Sequence, residues 1–145
     1  MVLTMKKKNA DILLEFVIEL GTISDTWITV STGGTVITGK IATPATFFRK
    51  SLVDNTQHEG VRAHFESYAA ELDSGYQELE QLRKKDYDEL TDEERKNVEQ
   101  PWHFLNLVEA AIWDNGEFSP SNRQGNYRIR ISAVDAWHLG RLDRG

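Results

Sequence analysis

Cysteine is missing from this chain, which excludes disulfide bonds, thiolate metal ligands and a cysteine nucleophile. Long hydrophobic runs are missing too. The most apolar stretch, residues 12–20, is interrupted by Glu15 and Glu19, and a membrane span needs roughly 20 apolar residues. Basic residues are outnumbered, with 17 Lys and Arg against 23 Asp and Glu and a net charge of −6. We therefore expect no membrane partner and no general role in nucleic acid binding, because phosphate attraction requires positive charge.

The rest of the composition is that of a globular protein. The 145 residues are 39% hydrophobic and 28% charged, which fits a single domain over residues 1–145 and does not fit a disordered chain. Lys6, Lys7 and Lys8 precede an apolar segment, as in a signal peptide, but that segment contains glutamates and no small-residue cleavage site follows it. We therefore expect a cytoplasmic protein.

Hydrophobic spacing predicts a helix followed by a hairpin. The helix covers about residues 10–20. Its apolar stripe consists of Ile12, Leu13, Phe16, Val17 and Leu20, and Leu14 and Ile18 widen it, so we expect this helix to be buried on more than one side. Residues 27–32 and 35–41 are rich in β-branched side chains, and Gly33-Gly34 between them suits a tight turn with positive φ at both positions. Gly39 inside the second strand indicates a bulge or a sharp bend.

A helical insertion is predicted over residues 43–100. Its longer helix repeats apolar residues at spacings of three and four, with Gly75 where another apolar residue is expected. The repeat consists of Val61, Phe65, Tyr68, Leu72, Leu79 and Leu82. This stripe either packs on its own domain or faces another subunit. Residues 78–99 are mostly acidic and contain a capping box at Thr91, and they form either a solvated face or a docking segment.

Three more strands follow the insertion, over residues 102–113, 127–133 and 136–142. Five short strands with internal glycines are typical of small barrels. The sequence therefore predicts an α+β fold, in which an N-terminal helix covers a small, strongly bent, antiparallel five-stranded sheet. The helical insertion lies between the second and third strands.

No motif for catalysis or cofactor binding is recognisable. The histidines at positions 58, 64, 103 and 138 lack the spacing of a metal site, and there is no GxSxG sequence. Gly33-Gly34 leads into a strand, whereas a phosphate-binding loop leads into a helix. We predict no catalytic residue, no cofactor and no metal, and hence a protein that is not an enzyme.

Candidate interaction residues lie near the C-terminus. Arg128 and Arg130 share the outward face of one strand, and Arg141 lies in the next predicted strand, residues 136–142. These arginines either serve solubility or contact an acidic partner, including the acidic insertion of a neighbouring subunit. Trp137 and Leu139 give the last strand an apolar character. Because exposed strand edges tend to pair, we expect a homo-oligomer built partly on that strand.

Two segments resemble Sm-like proteins. Residues 27–42 (WITVSTGGTVITGKIA) resemble the first two strands of Sm-like barrels, and residues 127–134 (YRIRISAV) are similar to the second Sm motif of the bacterial Sm-like RNA host factor family. The Lys-His pair with which that family reads RNA would fall at Arg128 and Ile129. Because the histidine is absent, RNA binding is not implied, although an Sm-like nucleic-acid-binding ring remains the alternative function.

A second resemblance covers more of the chain. DILLEFVIELG, WITVSTGGTVITGKIATPATFF, the acidic helical middle and the closing RIRISAVDAWHLGRL together resemble the gas vesicle accessory protein U family. The closing segment is its most specific part. The resemblance implies a cytoplasmic, non-enzymatic accessory protein that contacts gas vesicle proteins, self-associates, and influences gas vesicle assembly or clustering.

Overall fold

A computed structural model describes residues 12–100 and 102–143. The predicted start of the first helix at residue 10 lies outside these residues. The helices are α1 (Ile12–Gly21), α2 (Pro44–Phe48), α3 (Glu59–Arg83) and α4 (Asp92–Glu99). The strands are β1 (Trp27–Thr32), β2 (Thr35–Ile41), β3 (Phe104–Asp114), β4 (Glu117–Ser119), β5 (Gly125–Arg130) and β6 (Ala136–Leu139). A π-helical turn (Arg49–Val53) and 3₁₀ turns (Tyr87–Glu89, Ile131–Ala133) complete the elements.

The strands form one antiparallel sheet that does not close. Its order is β4-β3-β2-β1-β6, and β5 pairs with the same side of the long strand β3 as β4 does. The α+β class, the N-terminal helix and the helical insertion between the second and third strands are thereby confirmed. The sheet has six strands where five were expected, because the three-residue β4 was not recognised. The last two strands are shorter than expected, ending at Arg130 and Leu139.

Two glycine positions shape the β1–β2–β3 part of the sheet. Gly33 and Gly34 form the hairpin turn with φ of +56° and +84°. At Gly39 the β2–β3 register shifts, and a Cβ on this residue would lie 2.6 Å from the Cβ of Ala110. A side chain there would clash with β3. The irregularity expected at Gly39 is present, but its extra residue lies on β3, where Glu109 and Ala110 together stand opposite Gly39.

The core lies between α1 and the inner face of the sheet. Leu14 and Ile18 of α1 are buried against Ile28 of β1 and against Leu105 and Leu107 of β3. The buried side of α1 is formed by Leu14 and Ile18, the two residues expected to widen the stripe, whereas Leu13 of the stripe itself is 68% exposed. In its place Glu15 is buried, where its Oε1 accepts a hydrogen bond from the backbone N–H of Trp102 at 2.8 Å.

The helical insertion packs on its own domain at both ends of α3. Near the start, the Phe48 ring of α2 contacts Phe65 and Tyr68, with ring centroids 5.8 and 5.0 Å apart. Near the end, Tyr76 Oη lies 2.6 Å from Thr22 Oγ1, and Arg83 Nε lies 2.7 Å from a Glu19 oxygen. Between these contacts α3 is largely open to solvent.

Candidate interaction surfaces

β5 forms one end of the sheet and turns part of its backbone outward. Ile131 N donates to His103 O at 3.0 Å, which continues the β3–β5 ladder. Because backbone directions alternate along an antiparallel strand, Arg128 and Arg130 direct their N–H and C=O groups away from β3. No strand within the described residues pairs with that side of β5. These outward backbone groups are therefore not used in pairing between the described strands.

The side chains of Arg128 and Arg130 converge on one aromatic ring. The Arg128 guanidinium carbon lies 3.6 Å from the Phe104 ring centroid, and that of Arg130 lies 6.0 Å away. Both arginines are exposed, and neither forms an ion pair with a residue that the structure describes. We call Phe104, Arg128 and Arg130 the arginine edge. Two neighbouring positive charges without a counter-charge favour an acidic partner.

β6 forms the other end of the sheet, and its character is apolar. Gly140 N donates to Trp27 O at 2.8 Å, so the same alternation directs the backbone groups of Trp137 and Leu139 away from β1. Leu139 is 56% exposed, whereas Trp137 is half-buried against the core. We call Trp137 and Leu139 the apolar edge.

Arg141 differs from the other two candidate arginines. Its guanidinium stacks on Trp27 at 4.6 Å, and its Nε lies 3.8 Å from Asp143 Oδ1. The same carboxylate is bound by Arg123 at 2.9 Å, and Arg123 in turn stacks on Phe118. The charge of Arg141 is therefore partly balanced within the chain, which makes it a weaker candidate for an intermolecular ion pair.

The predicted interaction residues thus fall on two surfaces. Arg128 and Arg130 lie on β5, while Trp137, Leu139 and Arg141 lie on or just after β6, with β3, β2 and β1 between them in the strand order. Sequence reasoning missed Phe104, which supports both arginines. Its own strand was recognisable, but its position beside Arg130 depends on the β3–β5 register, which no local pattern reveals.

Negative charge is concentrated on the helical insertion. Between residues 59 and 100, thirteen acidic residues accompany six basic ones. Asp88, Glu89 and Glu93 are exposed and form no ion pair with a described residue. We call residues 59–100 the acidic helical layer. Its sign is opposite to that of the arginine edge.

Neither a metal-binding cluster nor a membrane-spanning helix is found among the described residues. Within residues 12–100 and 102–143, no group of three or more His, Asp or Glu side chains is arranged to hold a metal ion. No helix in this part of the chain combines the length and apolar character needed to cross a bilayer.

Comparison with known proteins identifies one relationship. A family model described as "Gas vesicle protein GvpU-like" matches residues 11–142 and therefore covers nearly the whole chain. The curated proteins and the solved structures give no match. The resemblance to Sm-like barrels is thus not confirmed by any solved structure.

Proposed function

Because the chain belongs to the GvpU-like family of gas vesicle proteins, we propose that it is a cytoplasmic, non-enzymatic accessory protein that self-associates and influences gas vesicle assembly or clustering. Family membership supports the accessory role. The observation that carries self-association is the presence of two strand edges, on β5 and β6, that no described strand covers. Exposed edges of this kind pair with other chains unless they are blocked.

The two edges favour a head-to-tail arrangement. They belong to different strands, so pairing β5 of one copy with β6 of the next uses two different surfaces on each copy. Such heterologous contacts produce closed rings or open filaments. Both edges of every copy are then paired, except at the ends of a filament. The exposed side chain of Leu139 gains burial in this contact.

A second type of contact would join such oligomers into clusters. The arginine edge is positive and the acidic helical layer is negative, and both carry exposed charges without described counter-ions. We propose that this pairing between copies, or between this protein and other gas vesicle proteins, supplies the weaker contacts.

A proline at position 139 tests the edge contact. Proline lacks the N–H that Leu139 directs away from β1, so Leu139→Pro should block pairing with another strand while leaving the β1–β6 hydrogen bonds in place. Light scattering at tens of micromolar should show an oligomer for the wild type and for Leu139→Val, and a monomer for Leu139→Pro. A monomeric wild type, or a Leu139→Pro variant that still assembles, would contradict this part of the proposal.

The arginine edge also bears on the alternative function, an Sm-like nucleic-acid-binding ring. Guanidinium groups beside an aromatic ring are suited to phosphates and bases. Electrophoretic mobility shift with single-stranded RNA distinguishes the two functions. We expect no shift at physiological salt, because the protein carries a net charge of −6. A shift that disappears in Arg128→Ser/Arg130→Ser would favour the alternative.

A further inference from the structure

Gly75 lies in the middle of α3, where glycine destabilises a helix by about 1 kcal/mol relative to alanine. Close packing often explains a glycine inside a helix, but it does not explain this one. A Cβ built on Gly75 would have no described heavy atom within 4 Å outside its own helix backbone. The space above Gly75 is therefore open to a group from another molecule.

This space belongs to a groove of about 420 Å³ beside α3. Tyr68, Leu72 and Leu79 contribute the α3 side, and Pro44 and Trp102 complete the apolar lining. Tyr68 is 49% exposed although it is a large aromatic residue. Such a lining can accommodate an aliphatic side chain, and the missing side chain at position 75 lets a partner backbone come close.

The charges around Gly75 indicate the chemistry of the partner. Glu71 and Glu78 are four residues before and three residues after Gly75, so all three share one face of α3. Glu71 lines the groove and Glu78 lies beside it; both are exposed, and neither forms an ion pair with a described residue. Arg83 also lines the groove, but its charge is balanced by Glu19 and Glu80. A partner that fills the groove therefore gains if it carries positive charge beside its apolar face.

We propose that this groove binds a basic amphipathic helix of another protein, with an aliphatic side chain over Gly75 and Lys or Arg side chains against Glu71 and Glu78. Helix-in-groove binding of this kind uses apolar anchors at helical spacing. The described α-helices of this chain do not have that character, and the basic π-helical turn Arg49–Val53 is only five residues long, so we commit to another protein as the source of the helix. α1, α3 and α4 each contain more acidic than basic residues, and α2 is uncharged.

A synthetic helical peptide of Leu, Ala and Lys, with its leucines on one face and its lysines flanking them, is the probe. Fluorescence anisotropy of the labelled peptide with the full chain should show saturable binding. Gly75→Leu occupies the space above position 75 that the partner's aliphatic side chain would use, and should weaken binding at least about tenfold. Ser74→Leu is the matched control, since it adds the same side chain at an exposed position about 100° around α3 and should leave binding unchanged. Because leucine favours helix, Gly75→Leu should unfold at no lower temperature than the wild type.

A separate set of variants tests whether binding requires the negative charges of Glu71 and Glu78. Glu71→Gln/Glu78→Gln should weaken peptide binding and reduce its salt dependence, and a peptide with Glu in place of Lys should not bind. Absence of binding by the Lys peptide, or equal binding to wild type and Gly75→Leu, would overturn the proposal. A loss of self-association in Gly75→Leu would also overturn it by identifying a second copy as the occupant. Leu139→Pro should leave peptide binding intact. The groove proposal and the proposed strand-edge assembly can therefore be refuted independently of each other.

Discussion

Lys40 Nζ lies 2.6 Å from Glu109 Oε2, across the position where the register of β2 and β3 shifts. Glu109 has a φ of +47°, a conformation that non-glycine residues rarely adopt. The ion pair thus joins the two strands where the regular ladder of backbone hydrogen bonds is interrupted. The hydrogen bond to Lys40 lowers the pKa of Glu109, and the same hydrogen bond raises the pKa of Lys40.

The first prediction is a pH dependence of this ion pair. Glu109 has a lower pKa in the folded than in the unfolded state, so its contribution to stability is complete above about pH 4.5 and is lost as pH falls through the lowered pKa. Lys40 has a raised pKa, so its contribution is complete below about pH 10.5 and is lost at higher pH. Lys40→Met should therefore lower the free energy of unfolding by about 1 kcal/mol near pH 7 and by less near pH 3. Urea unfolding across this pH range measures the difference.

Lys96→Met is the control for this series, because Lys96 is exposed and forms no ion pair with a described residue. It should change the free energy of unfolding little at any pH. A Lys40→Met effect that stays constant from pH 7 to pH 3 would show that the Glu109 carboxylate is not its cause.

The second prediction concerns the close approach at Gly39. Gly39→Ala would place a Cβ 2.6 Å from the Ala110 Cβ and 3.1 Å from the Leu107 Cβ. Relieving this overlap requires β2 and β3 to move apart, and we expect a loss of about 1–3 kcal/mol in thermal or urea unfolding. Gly39→Ala/Ala110→Gly should recover part of the loss, because it removes the nearest atom. If Gly39→Ala had the same free energy of unfolding as the wild type, β2 and β3 could move apart without an energetic penalty, and this prediction would be wrong.

Features set by short stretches of sequence were predictable. Gly33-Gly34 forms the hairpin turn and Thr91 forms a capping box with Glu94, as expected from neighbouring residues alone. Such features depend on φ preferences and on hydrogen bonds within a few residues, so local chemistry determines them.

Features set by distant contacts were not predictable. The buried side of α1 includes Glu15, because a backbone N–H 87 residues away donates a hydrogen bond to one oxygen of its carboxylate, and no helical periodicity contains that information. The arginine edge depends likewise on the register that places Phe104 beside Arg130. The sequence therefore indicated which residues of each strand are candidates for interaction. It did not indicate that Phe104 lies against the arginines, or that the candidates divide between the two ends of the sheet.

The third prediction concerns the attachment of α3 to α1. Arg83 lies 2.7 Å from both Glu19 and Glu80, and its side chain is only 17% exposed. Arg83→Met would leave two partly buried carboxylates without their cation, so we expect a loss of about 1–3 kcal/mol. Hydrogen exchange should accelerate in the last turns of α3 more than in β2 and β3. Arg62→Met, at an exposed α3 position, serves as the control and should change neither quantity. Uniform acceleration in helix and sheet would argue against a local role for Arg83.

The last prediction uses salt to distinguish the two proposed types of contact, the strand-edge contact within a small oligomer and the charged contact between oligomers. Exposed ion pairs between the arginine edge and the acidic helical layer contribute only about 0–1 kcal/mol each, so several must act together. The screening length falls from about 8 Å at physiological ionic strength to about 3 Å at 1 M, so clustering held by charge should weaken as salt rises. Contacts that bury Leu139 should persist or strengthen, because apolar burial is not screened.

Arg128→Ser/Arg130→Ser removes both charges of the arginine edge and leaves the apolar edge intact. Turbidity should therefore fall to the high-salt level at every salt concentration, while sedimentation velocity still shows the small oligomer. Arg62→Ser is the matched control, since it removes an exposed arginine from α3 without touching the arginine edge. Clustering that responds neither to salt nor to the double substitution would show that charge does not hold the oligomers together. Loss of the small oligomer in the double variant would instead show that the arginine side chains, and not only the β5 backbone, hold the strand-edge contact.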